Sequence, residues 1–186
     1  MLRRFILIAG MACLSFGFAQ KVELKTDEFS GASQYKVYLG EAKLEGGSFF
    51  TMRHVFLMLL GYPESKGEHS FIHIQTMTPQ WVFIDKGETL ILKIDGEFLK
   101  LSGDGATDRN VLTGSILQEF AIWPISSEDV IKLSKAKEIK FRIIGTKQVI
   151  TGEFTDSVKK GIALYANEVL PKLIKETPKA QEATQK

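Results

Sequence analysis

Residues 81–101 read WVFIDKGETLILKIDGEFLKL. The Asp95-Gly96 pair in this run restricts the fold more than any other feature of the chain. A two-residue type I′ turn needs positive φ at both positions, and Asp-Gly between alternating apolar residues meets that need. The pairing follows from the turn. Ile94 lies opposite Glu97, Lys93 opposite Phe98, Leu92 opposite Leu99, Ile91 opposite Lys100 and Leu90 opposite Leu101. One face then collects Leu90, Leu92, Ile94, Leu99 and Leu101, and the other Ile91, Lys93, Phe98 and Lys100. A slip of one residue would reverse the faces, so the pattern specifies the register. Asp85-Lys86-Gly87 reads as a further turn, which adds Trp81–Ile84 as the third strand of a meander.

The same period-two signal recurs. In KEIKFRII, Ile139, Phe141 and Ile143 alternate with Lys140 and Arg142, and Gly145-Thr146 turns the chain into KQVITGEF. Ser70–Met77 alternates as well, Val111–Trp123 is a long strand candidate closed by Pro124, and Val22–Lys25 is a short one. Val55–Leu60 is six apolar residues in a row. Periodicity alone does not separate strand from helix there. Phe49, Phe50, Val55 and Phe56 favour a strand, buried on both faces. The sharper alternative is an exposed edge that binds a partner.

Two helices interrupt the strands. In SSEDVIKLSKAK, residues 126–137, Ser126 is placed to cap and Asp129 to complete a capping box, with Ile125 and Val130 as a hydrophobic staple. From Thr155 or Asp156, the residues Val158, Ile162, Tyr165, Val169 and Leu173 form a one-sided helical stripe that Pro171 should kink or end. The expected fold is mainly β (α+β): an antiparallel β-sandwich or a strongly curved sheet, with a short crossover helix and a C-terminal helix.

The N-terminus reads as a secretory signal peptide, residues 1–19. Arg3 and Arg4 precede an apolar stretch, Phe5–Phe16, and Gly17-Phe18-Ala19 sets small residues for a cut after Ala19. The apolar stretch falls short of the ~20 residues a membrane span needs. Export to the periplasm or the extracellular space is therefore expected, with lipidation of Cys13 a minor alternative. Loss of Arg3 and Arg4 leaves 22 cations and 22 anions. A neutral chain has no general attraction for nucleic acid or an anionic membrane. Cys13 is the only cysteine, so the mature chain has no thiol for a disulfide, a thiolate metal site or a cysteine nucleophile. Residues 20–174 are expected as one β-rich domain, and residues 175–186, KETPKAQEATQK after Ile174, as a flexible polar tail.

No motif names a chemistry. SGDGATDRN, residues 102–110, fails as a calcium loop: counting Asp104 as position 1, Ala106 stands at 3 and Arg109 at 6, where a ligand and a glycine are needed. It fails as a phosphate loop because Gly103 and Gly105 are too close and no lysine follows. It is read as a turn connecting Leu101 to Val111. His69 and His73 are four apart, which on a strand separates them by about 13 Å. His54 lies in the apolar segment as a packed or interfacial residue. No nucleophile elbow or HExxH signature occurs. Asp85, Asp104, Asp108 and Glu119 are the carboxylates that would matter to a hydrolase, and Glu119 is read as solvated on a wet strand face. Trp81 and Trp123 are read as core residues rather than a stacking platform.

These readings leave catalytic, cofactor and metal residues unassigned, with no cofactor expected. The expectation is an exported, non-catalytic binding or structural module of the cell envelope, ligand unnamed. A hydrolase with an unmarked carboxylate and histidine site is the first alternative. A carrier of a lipid or other apolar ligand is the second. A protein partner and a homo-oligomer both stay open.

Overall fold

The computed structural model describes residues 20–46, 53–63 and 69–174. The expected signal, the polar tail, Phe49 and Phe50 lie outside them. Eleven strands form two antiparallel sheets among the described residues. The first sheet contains β1 (Val22–Thr26), β2 (Ser33–Glu41), β4 (His54–Gly61), β5 (Ser70–Thr78), β8 (Ala106–Val111) and β9 (Leu117–Ile125), in the order β1-β2-β4-β5-β9-β8. The second contains β3 (Lys43–Leu44), β6 (Lys86–Ile94), β7 (Glu97–Asp104), β10 (Ile139–Ile144) and β11 (Val149–Glu153), ordered β3-β11-β10-β6-β7.

The hairpin around Asp95-Gly96 has the register expected from its turn, Ile94 opposite Glu97 through Leu90 opposite Leu101. Asp95 has φ 47° and Gly96 φ 101°. Asp95 does more than turn the chain: its carboxylate accepts the N–H groups of Lys137 (3.1 Å) and Glu138 (2.8 Å). Those two bonds hold the Asp95 carboxyl below its ordinary range. A Cβ at Gly96 would meet nothing within 4 Å, so any penalty there comes from the backbone alone. Gly96→Val should therefore lower stability by at least ~1 kcal/mol, read as a lower urea midpoint at unchanged slope.

Leu90, Leu92 and Ile94 point into the core with Ile139, Phe141 and Ile143 of β10, and Val37, Leu59, Ile72 and Trp123 meet them from the first sheet. Trp123 Nε1 donates to Thr89 Oγ1 across the sheets at 3.1 Å. Side chains of both sheets thus meet in the intersheet space.

α1 (Ser127–Lys135) carries the chain from β9 in one sheet to β10 in the other. Its cap is as expected: Ser126 Oγ accepts the Asp129 N–H at 3.1 Å and donates to the Asp129 carboxylate at 2.7 Å. α2 (Asp156–Glu168) buries Val158, Ile162 and Tyr165. The helix breaks at Val169 before a last helical turn over 170–174, where Pro171 lacks the N–H that a continuous helix would use.

Three expectations are corrected. Trp81–Ile84 is not a strand; β6 pairs with β7 as expected, but on its other side with β10 and not with 81–84. Phe83 takes φ 55°, which no strand allows. The single strand expected over Val111–Trp123 is two, β8 and β9, with a short 3-10 turn at Thr113–Ser115 between them. The stretch 102–110 is not a connector. Ser102–Asp104 end β7, Ala106–Asn110 lie in β8, and only Gly105, at φ 89°, separates them. There the chain passes from the second sheet into the first.

β4 is a strand buried on both sides, as expected. Val55, Leu57 and Leu59 face the core, while Met58 lies between Tyr38 and His73, and Leu60 between Lys36 and Phe71. It is the third of six strands, which overturns its alternative reading as an exposed edge.

Candidate functional site

The titratable residues singled out in the sequence go to different places. His54 Nδ1 meets Glu41 Oε1 at 2.7 Å, at the start of β4. His69 Nδ1 lies 3.1 Å from the Tyr62 carbonyl. His73 lies on the outer face of the first sheet, stacked on Phe120 at 5.6 Å, and its Nδ1 is buried without a partner among the described residues. Burial, and secondarily the Lys36 charge, hold its pKa below the ordinary value. The sign follows. The unfolded chain protonates His73 at a higher pH than the fold does, so its contribution to stability falls as pH drops through the unfolded value. Asp104 pairs with Lys86 at 3.6 Å, and Asp108 accepts its neighbour Arg109 N–H at 2.8 Å. Among the described residues, no group of three His, Cys, Asp or Glu side chains is arranged to hold a metal.

Glu119 is the main departure from expectation. It is 1% exposed, not solvated. Its β9 position points inward, and its carboxylate accepts three consecutive backbone N–H groups: Val82 (2.5 Å), Phe83 (3.0 Å) and Ile84 (3.3 Å). Arg109 Nε donates to the same carboxylate at 3.3 Å, while its Nη2 donates to the Ile84 carbonyl at 3.3 Å. The positive φ of Phe83 turns the successive N–H groups toward one side. Glu119 is satisfied on both oxygens, so it is a clamp for the irregular segment 81–85. Gly145 fits beneath that segment, where a Cβ would fall 2.0 Å from the Val82 carbonyl oxygen. Trp123 is in the core as expected, whereas Trp81 is only half-buried, beside Phe83 at 5.8 Å.

A different set of residues converges on the outer face of the second sheet. Strand parity sends Ile91 and Lys93 outward from β6, Phe98 and Lys100 from β7, and Lys140 and Arg142 from β10. The register sets them in two rows across the strands: Lys140, Lys93 and Phe98, then Arg142, Ile91 and Lys100. Neighbours in a row have Cβ atoms about 5 Å apart. Together they line a concavity of about 500 Å³. Four cations meet there with, among the described residues, a single lining carboxylate, Glu45, which accepts the Thr151 hydroxyl at 2.6 Å. Phe98 is 72% exposed, and Lys93 Nζ lies 5.7 Å from its ring centre. Lys100 and Lys140 reach Glu88 (3.3 Å) and Glu138 (2.9 Å), which lie outside the concavity. Arg142 has no ion pair among the described residues. Exposed lysine pairs of this kind are worth little, so both lysines can exchange partners readily.

No family model, no curated protein and no solved structure matches this chain.

Proposed function

We propose that this chain is an exported binding module that holds a small organic anion on the outer face of its second sheet. The observation that carries the reading is the convergence of Lys93, Lys100, Lys140 and Arg142 with Ile91 and Phe98 on one concave surface. Once the leader is removed the chain is balanced in charge, so four cations in one hollow represent clustering and not a general excess. Arg142 offers a planar fork suited to a carboxylate, sulfonate or phosphate, and Lys93 and Lys140 add point charges beside it. Ile91 and Phe98 supply apolar contact for a flat or aliphatic body. The volume suits a small molecule. The leader-like residues Arg3, Arg4 and Phe5–Phe16 support export. A long basic track, which a nucleic acid would require, is not what these two short rows form.

The probe for the test is an anilinonaphthalene sulfonate, which joins one anionic group to aromatic rings. Its fluorescence should rise saturably with the native protein. Binding by Arg142→Glu should be at least about tenfold weaker, because charge reversal replaces a fork donor with a repelling acid. Equal affinity in parent and variant, with unchanged melting, would remove the face from consideration.

A further inference from the structure

We infer that the notch between β2 and the first turn of α2 is a docking site for Gln20 as the N-terminal residue, and that docking keeps this glutamine from cyclising. The inference rests on the export reading, in which the cut after Ala19 makes Gln20 the first residue.

The site is built from the backbone. β1 pairs with β2 with Val22 opposite Val37, so the same register carried two residues back sets Gln20 opposite Leu39. Leu39 is the extra residue of a bulge: Tyr38 pairs with Met58 and Gly40 with Leu57, leaving Leu39 without a partner in β4. Its carbonyl accepts Gln20 Nε2 at 3.0 Å. The same nitrogen donates to the Ser157 carbonyl at 2.5 Å and lies 3.2 Å from the Ser157 hydroxyl. Two carbonyl acceptors identify the facing atom as the amide nitrogen, since carbonyls only accept. Gly161 makes the room. A Cβ there would fall 2.7 Å from Leu39 Cδ2 and 3.0 Å from Gln20 Nε2. A glycine inside a helix is unfavourable on its own, and this close approach supplies a reason for it.

An N-terminal glutamine cyclises when its α-amine attacks Cδ. A bond forms from the α-nitrogen to Cδ, the bond from Cδ to Nε2 breaks, and Nε2 leaves as ammonia with a proton taken from the amine. No co-reactant is required. The departing atom is the one that Leu39 and Ser157 hold, and the lactam retains no NH2 to replace it. Cyclisation therefore has to proceed from the undocked side chain.

The test expresses the full chain in an exporting host, purifies the processed protein and follows the mass of its N-terminal peptide over days. Native protein should keep an intact glutamine, with cyclisation about tenfold or more slower than in the same protein unfolded in urea, because docking bonds must break first. Gly161→Ala, which crowds the notch, should cyclise faster than the parent while still folded by melting. Loss of one ammonia at equal rates in native and unfolded protein would overturn the docking. A processed chain that begins at another residue would overturn the cleavage on which it rests, and the two failures are told apart by the peptide itself.

Discussion

Glu119→Ala should lower folding stability by about 3–5 kcal/mol, because three backbone N–H groups lose their acceptor at about 1–3 kcal/mol each. The alanine leaves the N–H groups of Val82, Phe83 and Ile84 without their acceptor, and Arg109, 36% exposed on its side chain, without its carboxylate. Each orphaned buried donor carries the full cost of its lost hydration. Glu119→Gln keeps the volume and one acceptor oxygen but turns an NH2 toward a donor, so its loss should be smaller than that of alanine. Urea unfolding of the three proteins checks the order. Parent-like stability of Glu119→Ala would mean that the 81–85 segment is held by its apolar side chains alone.

The second large effect is expected at Trp123. Its ring is among the largest fully buried side chains, it crosses the intersheet space to Thr89, and it lies against Gly103, where a Cβ would come within 2.8 Å of the ring. Trp123→Ala removes that volume from between two sheets that cannot both move in, and should cost about 3–5 kcal/mol. Trp123→Phe should cost less, since most of the apolar area stays and the Thr89 hydroxyl loses one donor. Calorimetric melting of both variants gives the comparison.

The contrast between Asp95-Gly96 and Glu119 shows what was legible in this chain. The hairpin register could be read because turn chemistry and alternation act within a dozen residues. Ser126 and Asp129 were legible for the same reason, as their bonds close over three positions. Glu119 was not, because its partners Val82, Phe83 and Ile84 lie more than thirty residues away and are backbone groups, which leave no mark in residue identity. Trp81–Ile84 looked like a strand because Val82 and Ile84 are indeed buried. The positive φ of Phe83 had no glycine or asparagine to announce it. SGDGATDRN has the composition of a turn, yet only Gly105 turns, and the remaining polar residues lie on strands at the edges of the two sheets.

The candidate site was half legible. Ile91, Lys93, Phe98 and Lys100 were assigned to one outward face from the hairpin, and Lys140 and Arg142 to another, each consistent with a solvated strand. That the two faces are one surface depends on β6 pairing with β10, with Lys93 opposite Lys140 and Ile91 opposite Arg142. That pairing spans nearly fifty residues of sequence and includes a helical crossover. Local pattern carries no information about it, and concavity arises only when the sheet is assembled.

The structure offers a second outward surface against which the proposal can be judged. On the first sheet, Tyr38, Phe56, Phe71, His73, Phe120 and Ile122 share the outer face, more apolar and without the cluster of cations. Amide chemical shifts of the isotope-labelled protein, followed during titration with the anilinonaphthalene sulfonate, separate the two surfaces in one experiment. Saturable shifts centred on Ile91, Lys93, Phe98, Lys100, Lys140 and Arg142 are expected, weakening as salt is added. Shifts centred instead on Phe56, Phe71, His73 and Phe120, or none that saturate, would contradict it.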